Sequence, residues 1–173
     1  QRDDDNKWIA ARSVWLLPHI GDKGINACIK MLGSDDSDER VVAYRSLRRA
    51  GHDMIPHAKR MCTDPSPQVR REIALSLRDI PAEKTKEIFV ELAKRCNTDD
   101  KNSLESIGLG AAKQESSIWK AIKGGMGYDN PQEWNDQFAK LTWRLWGAAS
   151  VNDLKARCAD GSLSLEKRKF ALE

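Results

Sequence analysis

The sequence predicts an all-α fold, a solenoid of stacked helical hairpins, and three observations carry that prediction. Apolar residues recur at three- and four-residue spacing along most of the chain, which is the period of one helix face. No stretch alternates apolar and polar residues over strand length, as a half-buried strand would. The same hairpin pattern returns about every 30–35 residues, within the range of stacked helical pairs. Hairpins are expected at 6–32, 37–62, 66–96, 100–123 and 131–159, with a truncated sixth begun at Ser164, all in one domain covering 1–173.

The repeat is visible residue by residue. Residues 7–18 (KWIAARSVWLLP) lie over 40–51 (RVVAYRSLRRAG) without a gap, so that Ala10 matches Ala43 and Arg12-Ser13 matches Arg45-Ser46. One step on, Arg40, Ala43, Ser46 and Leu47 align with Arg70, Ile73, Ser76 and Leu77. The third hairpin shows the logic best. Ser66 suits an N-cap and Pro67 the first helical position, where a missing N–H costs nothing. Val69, Ile73 and Leu77 then share one face. The partner helix, from about Pro81 to Cys96, carries Ile88, Phe89, Leu92, Ala93 and Cys96 on one stripe. A hairpin of this kind cannot bury its stripe alone, and stacking supplies the cover. Ile73, Leu77, Phe89, Leu92 and Cys96 are therefore expected to be buried together.

Composition bounds the function. The chain has 173 residues, is 40% hydrophobic and 32% charged, and carries a net charge of +3. So weak a charge argues against a dedicated nucleic-acid surface unless the basic residues cluster. No apolar run approaches the ~18 residues of a membrane span, so no membrane contact is expected from this segment. The chain opens without Met, and its last residues, Lys169 to Glu173, fall inside a predicted helix. Both ends read as internal boundaries of a longer chain. The apolar flanks at Trp8, Ile9, Trp15, Leu16 and Leu17, and at Phe170 and Leu172, are then expected to be covered by adjoining domains.

Asp64-Pro65, Val69-Arg70, Ala74 and Leu77 resemble the first-helix pattern of HEAT repeats; Asp35-Asp36 with Arg40 is a looser likeness. The resemblance implies a right-handed α-α superhelix and a ladder of Asp–Arg ties along it, here Asp64, Arg40 and Arg70. From about Trp8 to Leu172 the chain also resembles the HEAT segment of multidomain membrane-bound dehydrogenases of the sugar type. That resemblance implies a β-propeller before the repeats and a cytochrome c-like domain after them. Haem c would then sit elsewhere in the parent chain, with no cofactor in this segment. It also implies a periplasmic or cell-envelope location, with adjoining domains as first partners and other proteins as further ones; the segment itself is expected to be a monomer.

No catalytic constellation is legible. No two of the four cysteines lie within three residues of each other, so the C-x-x-C-H of haem attachment is missing. Gly-rich phosphate loops, zinc-binding Cys/His sets and a G-x-S-x-G elbow are missing too. His19, His52 and His57 fall near predicted turns and read as solvated or capping residues, with a metal site the lesser alternative. Asp35-Asp36 and Asp99-Asp100 sit at helix starts, where they would cap free N–H groups. Cys62, Cys96 and Cys158 close the second helix of a hairpin, in the register of Leu32, and read as buried free thiols.

Two regions depart from the plain repeat. Residues 124–131 (GGMGYDNP) read as a longer connector, or alternatively as a loop that touches a neighbour through Gly124, Gly125 and Tyr128. Trp134, Trp143 and Trp146, with Trp119 before them, read mainly as core. The other reading makes Trp143, Arg144 and Trp146 a docking surface, because Trp and Arg are favoured interface anchors. The sequence thus points to a non-catalytic scaffold or interaction segment. Its runner-up is a nucleic-acid-binding array, resembling the HEAT-like repeats of alkylpurine DNA glycosylases, built on Arg40, Arg45, Arg48, Arg49, Lys59, Arg60, Arg70 and Arg71. Interleaved acidic residues Asp35, Asp36, Asp38, Glu39, Asp64 and Glu72 would blunt that surface. An independent enzyme has no support.

Overall fold

In a computed structural model of the chain, the structure describes Ile9 and residues 12–172. Trp8, Ala10 and the rest of the first predicted hairpin before residue 12 lie outside the described residues, Ile9 excepted. Ile9 and residues 12–14 are helical; from Leu17 onward come two 3-10 turns and ten α-helices, with no strand among the described residues. This is the all-α class that stacked helical hairpins require. The chain divides into two compact units, Gln1–Val69 and Arg70–Glu173.

The first unit holds a 3-10 turn at Leu17–Ile20, then α1 (Asp22–Met31), α2 (Ser37–Arg49) and α3 (Ile55–Met61). Its core is Val14, Cys28, Leu32, Val41, Tyr44, Leu47, Met54 and Met61, all buried. Helix α2 starts where Asp36 accepts the Asp38 N–H at 2.8 Å, occupying one of the free donors of the first turn. It stops at Gly51, whose φ of 83° permits the left-handed turn that closes the helix. There the Gly51 N–H donates to the Arg48 carbonyl and the His52 N–H to that of Leu47, at 3.0 and 3.2 Å. Ser46, mid-helix and buried, donates its hydroxyl to the Val14 carbonyl at 2.8 Å.

Helix α4 (Pro67–Ser76) leads into the second unit, which continues with α5 (Ala82–Lys94), α6 (Lys101–Gly110) and α7 (Glu115–Met126). A 3-10 turn at Pro131–Glu133 precedes α8 (Asp136–Arg144), α9 (Val151–Ala159) and α10 (Leu165–Phe170). Ile73, Leu77, Phe89, Leu92 and Cys96 are all buried, as their spacing requires. Helix α5 lies along α7. Gly125 makes this approach possible, since a Cβ there would stand 2.5 Å from Val90 Cγ1. Gly124 and Gly125 therefore belong to the last turn of α7, not to a connector. The connector begins at Gly127, which caps α7 at φ 74°.

A side-chain turn marks the period. Ser34, Asp64, Asn97, Asn130 and Asp160 each accept the N–H two residues ahead, at 2.8–3.2 Å, as a hairpin ends and the next begins. Their spacings are 30, 33, 33 and 30 residues. Such a turn needs only a short polar side chain. Ser, Asp and Asn therefore interchange there.

Candidate interaction site

Charged side chains inside the fold serve as ties. Arg40 grips Asp64 with Nε to Oδ2 at 2.9 Å and Nη2 to Oδ1 at 2.7 Å. Its Nη1 donates to the carbonyls of Ser34 and Asp35 at 2.8 and 3.1 Å. Both side chains are nearly buried, at 10% and 8% exposure. Asp64 raises the Arg40 pKa further through this pair. Arg70, at the matching position, donates to the Arg95 carbonyl at 3.3 Å. The carboxylate nearby, Asp100, goes to Arg71 at 3.1 Å while also capping α6. The residue in register with Asp64 is Asn97, which has no charge to offer.

The histidines and cysteines form no cluster. Among the described residues, no group of three His, Cys, Asp or Glu side chains is placed to hold a metal ion. His19 is exposed, and His52 and His57 are half-buried. Burial, followed by the nearby Arg60 charge, lowers the His57 pKa. Cys28, Cys62 and Cys96 are buried free thiols and Cys158 is half-buried. Burial pushes the Cys96 thiol up to about 11, which leaves it a neutral, inert packing group. No helix of the described residues is long and apolar enough to cross a membrane.

The tryptophans divide into two sets. Trp119 and Trp134 are core, meeting edge to face at 6.4 Å, and Trp134 meets Phe138 in the same way at 5.0 Å. Their ring N–H groups are satisfied by Thr142 Oγ1 at 3.0 Å and the Tyr128 carbonyl at 2.9 Å. Buried Arg157 donates to the Pro131 and Trp134 carbonyls and lies under the Trp134 ring. Tyr128 stacks on Phe138 at 4.7 Å, so its ring belongs to this core. Gly124 is exposed with nothing within 4 Å of a Cβ, while Gly125 serves the α5–α7 packing.

Trp143 and Trp146 are different. They are 42% and 69% exposed, and they line a groove of about 580 Å³ together with Glu105, Arg144, Leu154 and Leu172. Helix α8 ends at Arg144, so Trp146 leaves the helix rather than continuing its face. Arg144 Nε donates to Glu105 Oε2 at 3.0 Å. Its guanidinium lies flat on Gly108 of α6, where any Cβ would collide with it. Two large exposed aromatic rings thus stand beside an Arg held against Gly108. Spacing alone could not have separated these tryptophans from Trp119 and Trp134. The early end of α8 decides it for Trp146, whereas Trp143 lies within α8, away from its buried face of Phe138, Ala139, Leu141 and Thr142.

No curated protein and no solved structure matches the chain. Residues 25–108 match a family model described as HEAT repeats, so that stretch is similar to HEAT repeats.

Proposed function

We propose that this chain is a non-catalytic scaffold that, in its parent protein, links a dehydrogenase-like propeller to a haem domain. The observation that carries the scaffold reading is the use made of its polar groups. Arg40, Asp64, Arg71, Asp100 and Arg157 all tie turns or helices within the fold, while the exposed chemistry is the Trp143–Trp146 surface. The HEAT-repeat match supports an interaction role, since stacked hairpins present long surfaces to partners. The resemblance of the wider sequence to multidomain dehydrogenases supports the finer context: haem c held elsewhere in the parent, a cell-envelope location, and adjoining domains as first partners. The nucleic-acid reading is weaker. Arg40 and Arg71, two of its basic residues, are engaged by carboxylates.

The test is made on the parent polypeptide and on this segment side by side. The parent is expected to carry a C-x-x-C-H after the repeats and to give a c-type haem spectrum; the segment gives none. A photocrosslinker placed at Trp146 in the parent should join to another domain of the same chain. A parent with neither haem nor propeller would sink the linking role. Haem or zinc bound stoichiometrically by the segment itself would sink the non-catalytic reading.

A further inference from the structure

The groove between Trp143 and Leu172 carries a more specific reading, which rests on the interaction role proposed above. Its lining is apolar at Trp143, Trp146, Leu154 and Leu172 and charged only at Glu105 and Arg144. Arg144 is held in place twice, by Glu105 on its Nε and by the Gly108 backbone beneath its plane. Its terminal nitrogens, Nη1 and Nη2, meet no acceptor among the described residues. Water can serve those N–H groups while the groove is open. An occupant that covers the two rings would also strip that water, and buried N–H groups of a cation are costly without an acceptor. The occupant must therefore bring one. A carboxylate fits best, because its two oxygens match two parallel guanidinium N–H donors and the charges strengthen both bonds.

We propose that this groove docks a protein segment in which an apolar side chain stands next to an Asp or Glu. The apolar side chain lies on Trp143 and Trp146, and the carboxylate receives Arg144. Because Arg144 is already fixed on Gly108, little side-chain freedom is lost on docking.

A random peptide library selected on the 173-residue chain, with the W143S/W146S double variant as counter-selection, tests this. Both rings are exposed in this chain, so circular dichroism of the double variant should match the parent sequence. Selected peptides are expected to share an acidic residue beside Leu, Phe or Trp. Resynthesis with Gln or Asn for the acid should weaken binding by about thirtyfold, the scale of one interface hot spot. Arg144→Gln should weaken the acidic peptide similarly and leave the amide peptide unchanged. If acidic and amide peptides bind alike, or R144Q changes neither, the carboxylate assignment is overturned while the scaffold reading stands. No selection above the double variant overturns the docking groove. A concentration-dependent dimer that W146S abolishes, with no peptide selected, assigns the groove to a second copy and overturns the proposal. Failure of the scaffold reading would appear elsewhere, as haem or zinc in the segment.

Discussion

Arg40 and Asp64 are joined by two parallel hydrogen bonds of 2.9 and 2.7 Å across 24 residues of sequence. The remaining guanidinium nitrogen binds the Ser34 and Asp35 carbonyls, so one side chain fastens the start of α2 to the turn after α3. Removing either partner strands a nearly buried charge. Arg40→Ala and Asp64→Ala are each expected to cost about 3–5 kcal/mol in denaturant unfolding. The double variant should cost less than the sum, because the second change relieves the stranded charge. Fully additive costs would mean that the pair is not a unit.

At the next repeat the tie takes another form. Arg70 donates to a backbone carbonyl, and Arg71 takes the carboxylate of Asp100 at about one-third exposure on each side. Arg71→Ala should therefore cost at most about 1 kcal/mol, the range of solvent-screened pairs. A loss as large as that of Arg40→Ala, measured in the same melts, would refute the distinction.

Much of this was open to sequence reasoning, and the exceptions share a cause. Helical spacing places Ile73, Leu77, Phe89, Leu92 and Cys96 in the core, because a 3.6-residue period has only one apolar side to bury. The partner of Arg70 was not legible. Asn97 keeps the turn that Asp64 makes but lacks its charge, and a pattern of turn residues does not distinguish them. The glycines at 124 and 125 read as a connector from propensity alone. Packing of α5 on α7 overrides that preference. Trp143 and Trp146 look as apolar as Trp119 and Trp134; Trp143 lies off the buried face of α8, and Trp146 lies beyond the end of α8 at Arg144.

Core packing around Leu77 can be tested by truncation. Leu77 is 1% exposed, and Leu77→Ala should destabilise by about 2–5 kcal/mol. A cost under about 1 kcal/mol in a urea melt would place Leu77 outside the core.

The thiols should report burial and charge together. Burial holds Cys96 neutral, with its pKa at about 11 against an ordinary 9.0. A raised folded value means that this contribution to stability is complete below pH 9 and is lost as pH climbs towards 11. Labelling with an alkylating reagent at pH 8, read by mass spectrometry, should modify half-buried Cys158 first. Cys28, Cys62 and Cys96 should react only as denaturant opens the fold. Early labelling of Cys96 would contradict its place in the core.

Acid should act through a different set. Hydrogen bonds from Lys94 and then Arg95 lower the Glu91 pKa, and those from Ser103 and Ser162 lower Asp100 and Asp160. Depressed folded values mean stability that is present above the ordinary carboxylate range and lost as pH falls through the folded ones. The window lies below about pH 4. Melting temperature should thus ease modestly from pH 7 to 5, where the lowered His57 pKa makes the unfolded chain the better proton binder, and fall more steeply below 4. Glu91→Gln should flatten part of that fall, and an unchanged acid limb would remove Glu91 from the account.

The glycines give the sharpest contrast, because three of them sit in helices for three different reasons. Gly110 ends α6 with its Cα against the Ala74 carbonyl, and any Cβ would overlap that backbone oxygen. A backbone atom cannot rotate away, so Gly110→Ala must push α6 from α4. Gly125 faces the Val90 side chain, whose Cγ1 would lie 2.5 Å from a new methyl, and a side chain yields more cheaply. Gly124 meets nothing within 4 Å and has no left-handed φ to preserve. There the alanine methyl only removes backbone freedom from the unfolded chain. Gly124→Ala is expected to stabilise by about 0.5–1 kcal/mol. Gly125→Ala should destabilise moderately, and Gly110→Ala most, by about 1–3 kcal/mol or more, as overpacking does. Denaturant melts of the three variants would order them. If Gly124→Ala destabilised as much as Gly110→Ala, residue 124 would not be an exposed position in the last turn of α7.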